Sequence, residues 1–187
     1  MQILHAGRYG YHPFNVGPTT AKAPIGWFTP TPLSEREIER TIDDFVRSAA
    51  LAEEAGYDGV EVMGSEGYLI NQFIAKQVNT RTDQWGGAFD NRVRLALRIV
   101  EGIRGAVAPD FLIVFRLSML DLVEQGSDWP EVVALAQALE GAGVSIINTG
   151  IGWHEARIPT IATKVRRAPA QRAPRLKAGP RPTLVLG

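Results

Sequence analysis

Four short strand-forming runs most constrain what this chain can become: residues 2–5, 59–63, 111–115 and 144–148. Each is followed by a loop rich in glycine and polar residues, and amphipathic helical patterns lie between successive runs. Parallel neighbours in a sheet need long crossovers, usually helical, so strand, loop and helix repeated in this order predict a parallel α/β architecture. The run 111–115, Phe-Leu-Ile-Val-Phe, is apolar throughout, as in a strand covered on both faces. The long loops follow strands rather than helices. That arrangement resembles a partial TIM (β/α)8 barrel of about four central β/α units, in which functional groups gather at the C-terminal ends of the strands. Four strands make half of such a barrel, so two open sheet edges are expected.

The helices carry their own signals. Ser34 with Glu37 three residues on predicts a capping box, followed by Ile38, Ile42, Phe45, Ala49 and Ala52 at helical spacing and by Gly56 as a stop. A short helix is expected over 68–76. A longer one over 91–107 places Val93, Leu97, Val100, Ile103 and Val107 on one stripe and Arg92, Arg98 and Glu101 on the other face. A third long helix is expected from Asp128, with Val132, Leu135, Ala136 and Leu139 inward. The loop over about 6–33 is long for a bare connection, and such loops are usually functional or disordered.

Of 187 residues, 20 are basic and 20 acidic, but all the acidic ones fall in 1–163, whereas 164–187 holds seven basic residues and four prolines. The expected organisation is therefore a folded part, 1–163, and a basic Pro/Ala/Arg-rich tail, 164–187, expected to be mostly disordered up to Pro182. Zero net charge gives no case for nucleic acid or an anionic membrane as partner. The absence of cysteine excludes disulfides, thiolate metal sites and a thiol nucleophile within this chain. The start lacks a signal-peptide pattern, no run nears a membrane span, and a cytoplasmic location is expected.

Polar residues just beyond the strands are the candidates for chemistry: His5 and Arg8; Glu61, Glu66 and Tyr68; Arg116; and Asn148, His154, Glu155 and Arg157. Arg116, read on its own, fits either a cation that neutralises an anion or an electron-rich ring, or a structural ion pair, with Glu61 as the partner considered. Tyr68 fits a proton donor or a packing residue, and His154 a site or a capping histidine. Glu61 with Glu66, or Asp121 with Glu124, could form a glycosidase pair, but the sequence does not supply their separation. His5, His12 and His154 have no metal-ligand spacing, so no metal is expected.

Five ordered motifs carry a resemblance. They are Gln2-Ile3-Leu4-His5-Ala6-Gly7-Arg8; Gly56-Tyr57-Asp58-Gly59-Val60-Glu61-Val62; Gly64-Ser65-Glu66-Gly67-Tyr68 with Leu69-Ile70-Asn71-Gln72-Phe73; residues 79–87 with Asn91-Arg92; and Gly150-Ile151-Gly152-Trp153-His154-Glu155-Ala156-Arg157. Together they resemble the old yellow enzyme superfamily, most closely the flavin barrel of the bacterial 2,4-dienoyl-CoA reductases, over about residues 1–163. The resemblance implies an FMN-dependent, NAD(P)H-linked oxidoreductase acting on an unsaturated fatty acyl-CoA in fatty acid β-oxidation. It assigns flavin contacts to Gln2 and Arg116, proton donation to Tyr68 with His154 assisting, and substrate contacts to His154, Glu155, Ala156 and Arg157.

The departures from the family pattern are equally specific. The chain starts at what would be the family's third barrel strand. Beyond about Thr163 the resemblance is expected to stop, short of the family's flavin phosphate site and of the segments for NADPH, FAD and a 4Fe-4S cluster. Gln77 stands where the family has a substrate-binding arginine. The competing expectation is a catalytically inactive barrel fragment, completed, if at all, by another chain.

Overall fold

The computed structural model describes residues 1–157 and 184–186. Five parallel strands form one sheet in the order β1 (Gln2–Ile3), β4 (Gly59–Gly64), β5 (Leu112–Leu120), β6 (Ile146–Ile151) and β7 (Leu184–Leu186). Successive strands are added on the same side with no reversal, as in the wall of a barrel rather than in a doubly wound sheet. Between them run α1 (Glu35–Glu54), α2 (Leu69–Ile74), α3 (Phe89–Ala106) and α4 (Trp129–Ala142). Short strands β2 (Val16–Gly17) and β3 (Thr31–Pro32) pair with each other and organise the long first loop. The stretch expected to be disordered, from 164 to Pro182, lies outside the described residues; beyond it Leu184–Leu186 pair with Ile146–Asn148.

Local chemistry accounts for the helix boundaries. Ser34 and Glu37 form the reciprocal capping box, and Gly56 follows α1 at φ +84°, where a side chain would be strained. Asp128 caps α4 by accepting from the Glu131 amide at 2.9 Å, with Pro130 in the first turn. The helix of 91–107 begins earlier, at Phe89. Its Arg92, expected on the outward face, is 1% exposed: it pairs with Glu131 at 2.5 Å and donates to the Ile74 carbonyl, tying α2, α3 and α4 together.

The core lies between the helices and one face of the sheet. Val60 and Val62 of β4, with Ile113, Phe115 and Leu117 of β5, pack there against Ile38, Phe45, Ile99 and Ile103. The opposite face is different in kind. The β1–β4 register sets Gln2 beside Glu61, and the β4–β5–β6 register sets Met63, Arg116 and Asn148 side by side. Strand β5 runs five residues beyond the apolar run that announced it, so Arg116 stands within a strand rather than after one. No described helix is long and apolar enough to cross a membrane, and no described group of three or more His, Asp or Glu residues could hold a metal ion.

Candidate active site

Strand β4 ends in Gly64, and the next residues make a tight corner. Glu66 (φ +63°) and Gly67 (φ +82°) are both left-handed, after which Tyr68 caps the short helix α2. A methyl on Gly67 would sit 2.5 Å from the Tyr9 hydroxyl oxygen and 2.7 Å from the Trp153 ring, so both backbone angle and space require glycine. The Asn71 side-chain oxygen accepts from the Gly67 backbone amide at 3.0 Å, and Gln72 Nε2 donates to the Gly67 carbonyl at 2.7 Å. These bonds fix where Tyr68 begins its helix.

The loop after β6 brings His154 to the same place. Its Nε2 shares a hydrogen bond with the Tyr68 hydroxyl at 2.9 Å, and the rings stand edge to face at 5.1 Å. Tyr9 packs its ring edge to face on both, 6.1 Å from Tyr68 and 5.8 Å from His154. Burial, and then the Glu66 carboxylate, push the Tyr68 phenol above its ordinary pKa. The phenol therefore keeps its proton at neutral pH.

Arg116 pairs with Glu66, not with Glu61: Nε and Nη2 both donate to Glu66 Oε1, at 3.0 and 2.7 Å. Nη1 takes no part in that pair. Glu61 instead accepts from Gln2 Nε2 at 2.6 Å and Asn148 Nδ2 at 2.5 Å, a polar row across three strands. A cavity of about 280 Å³ lies at this end of the sheet, lined by Glu66, Arg116, Thr149, Gly150, Gly152 and His154. Gln2, Asn148 and Arg116 thus offer amide and guanidinium donors on one sheet face, a donor set suited to a flat ring with electron-rich edges.

Not every candidate faces this space. The Glu155 side chain is only 2% exposed; both of its oxygens accept from Arg8 Nη2, at 2.6 and 2.7 Å, and it also receives Tyr9 Oη at 2.9 Å and Gln77 Nε2 at 3.3 Å. With its carboxylate so enclosed, Glu155 holds the His154 loop in place. Ala156 is half-buried in that loop, its amide donating to the Trp153 carbonyl, and Arg157 is exposed. Gln77 has become part of this support, and nothing in its sequence setting announced that. Asp121 is buried under donors from Asn71, Ser118, Ser127 and Trp153, which makes it a structural anchor rather than half of a glycosidase pair. His5 accepts from the Gly7 amide, and the stretch 79–87 is structural too, with Asn79 donating to the carbonyls of Phe73 and Trp85.

The sequence profile of the NADH:flavin oxidoreductase / NADH oxidase family matches residues 1–180. The chain belongs to that family. A metal reductase of Desulforamulus reducens is 36% identical over 168 residues, covering 88% of this chain and 25% of the relative. An NADH oxidase of Thermoanaerobacter brockii is 38% identical over 168 residues, with 86% and 25% covered. The chain thus spans about a quarter of the length of these relatives. Among solved structures, a 2-naphthoyl-CoA reductase in complex with 2-naphthoyl-CoA superposes with a TM-score of 0.89 at 30% identity, covering 98% of this chain and 31% of the other. An old yellow enzyme homologue from Zymomonas mobilis gives 0.73 at 26% identity, with 89% and 52% covered. The family's fold makes the five parallel strands a partial TIM barrel, and its chemistry is flavin-dependent oxidoreduction.

Proposed function

We propose that this chain carries the proton-donor site and part of the flavin face of an FMN-dependent reductase of the 2,4-dienoyl-CoA reductase type. The observation that carries the reading is the 2.9 Å contact between the Tyr68 hydroxyl and His154 Nε2, set beside a cavity that Arg116 also lines. The structural relative that holds 2-naphthoyl-CoA supports a coenzyme A thioester as substrate.

FMN bound there would supply the hydride for the conjugated acyl system. Gln2 and Arg116 would hold its ring, the guanidinium offsetting negative charge that builds up on it. Tyr68 gives the matching proton to carbon, and hydride plus proton complete a two-electron reduction of one double bond. Because the phenol's pKa is raised, proton release needs help at the oxygen left behind; an Nε2–H on His154 donates to that phenolate at hydrogen-bond distance. Glu155, Arg8 and Tyr9 keep both rings at that separation.

An FMN titration of the purified chain, followed by flavin fluorescence, tests the reading. Saturable binding is expected, weakened in Arg116→Ala and retained in Tyr68→Phe, which should lose dienoyl-CoA turnover by at least about 100-fold if turnover is present. Binding that ignores Arg116, or turnover untouched in Tyr68→Phe, would overturn it.

A further inference from the structure

A second cavity, of about 440 Å³, lies on the other side of Tyr68 and His154, and Leu4, Tyr9, Tyr11 and Ile25 also line it. It is within the size range of small-molecule sites, and no Asp, Glu, Lys or Arg lines it. Its outer wall comes from the long loop between β1 and α1. There Tyr11 is 79% exposed and Ile25 48%, and Trp27, 75% exposed, lies against Tyr11 with ring centroids 6.5 Å apart at 46°.

These exposed rings belong to a tethered loop. Arg8 Nη1 donates to the carbonyls of Ala21 and Lys22, the Asn15 side chain donates to the Arg8 carbonyl, and the amides of Thr31 and Leu33 donate to the carbonyls of Asn15 and Gly17. A loop held this firmly keeps its apolar groups in water at a cost unless something covers them, and it has already lost the entropy that binding would otherwise demand. We propose that Tyr11 and Ile25, with Trp27 beside Tyr11, form the specificity wall for a flat, uncharged acyl group, an aromatic ring or an extended conjugated chain, whose reacting carbons lie against Tyr68. The inference rests on the reductase reading and narrows its substrate class. The uncharged lining places the acyl end here and the phosphate-bearing end of a coenzyme A ester elsewhere.

The test measures binding of three N-acetylcysteamine thioesters to the full chain by isothermal titration: cinnamoyl, crotonyl and para-carboxycinnamoyl. Both substituted side chains are largely exposed, so Tyr11→Ser/Trp27→Ser should fold, and circular dichroism checks that it does. An aromatic contact with Tyr11, whose ring Trp27 backs, added to the larger apolar area buried, predicts that the cinnamoyl ester binds about tenfold more tightly than the crotonyl ester. The double variant should lose that preference, its cinnamoyl and crotonyl affinities coming within about twofold of each other, and the carboxylated ester should bind the unaltered chain at least about tenfold more weakly than cinnamoyl. Equal affinities in the unaltered chain, a preference that survives in the double variant, or no binding of any ester would overturn the proposal. So would a concentration-dependent dimer abolished in the double variant, because the wall would then be covered by a second copy. FMN binding is measured separately: its absence with the cinnamoyl preference intact removes the flavin reading alone, and the reverse removes only this one.

Discussion

Tyr68 owes its chemistry to neighbours that the sequence revealed unequally. Its phenol is pushed up first by burial and then by the Glu66 carboxylate. Glu66→Gln should therefore lower the midpoint of Tyr68 ionisation without returning it to the ordinary value, since the larger cause, burial, remains. Ultraviolet difference titration of that variant, with and without Tyr68→Phe, measures it; an unchanged or higher midpoint would remove Glu66 as a cause. Tyr68 and His154 could both be found from their places after strands. The Glu66–Arg116 pair could not, because a left-handed glutamate has no residue signal of its own, and Glu61 was as good a partner on paper. The family resemblance implied a substrate contact at Glu155, yet the chain turns its carboxylate onto Arg8, 147 positions away. Proximity in sequence says nothing of such a pairing.

At the level of elements, what was legible followed from local rules. The capping box at Ser34 is the clearest instance, and Ser34→Ala should lower the unfolding free energy by about 1 kcal/mol. Chemical denaturation reads this directly; an unmoved midpoint would mean that the cap contributes nothing net. Helix α4 began where Asp128 indicated. Strand β5 was read too short because Arg116 and Ser118 interrupt the apolar run, and a polar residue usually ends a buried strand. Here both side chains lie on the face away from the core, where Arg116 lines the cavity and Ser118 donates to Asp121, so the polar residues continue the strand rather than end it. Arg92 misled for the opposite reason: an arginine on a helix is normally solvated, and only the packing of α2, α3 and α4 supplies its buried acceptors.

For the whole molecule, the singly wound order of strands was legible from the repeat of strand, loop and helix, whereas the contacts that hold the site's rim across the sheet were not. The Arg8–Glu155 pair joins the loop after β1 to the loop after β6, with side chains 3% and 2% exposed. Glu155→Ala leaves a buried guanidinium without its carboxylate and should cost about 3–5 kcal/mol, while Arg8→Met/Glu155→Leu should recover much of that loss. Denaturant melts of the two variants measure the difference; equal losses would mean that packing, not the stranded charge, sets the cost. The same pair also bears on the order of events during synthesis. Arg8 leaves the ribosome 147 positions ahead of Glu155, so helices and strand pairs of short separation can form well before the two are joined. The site is then completed later than the strands that carry its first half: Tyr68 can be seated early, but it has no His154 beside it until the loop after β6 has emerged.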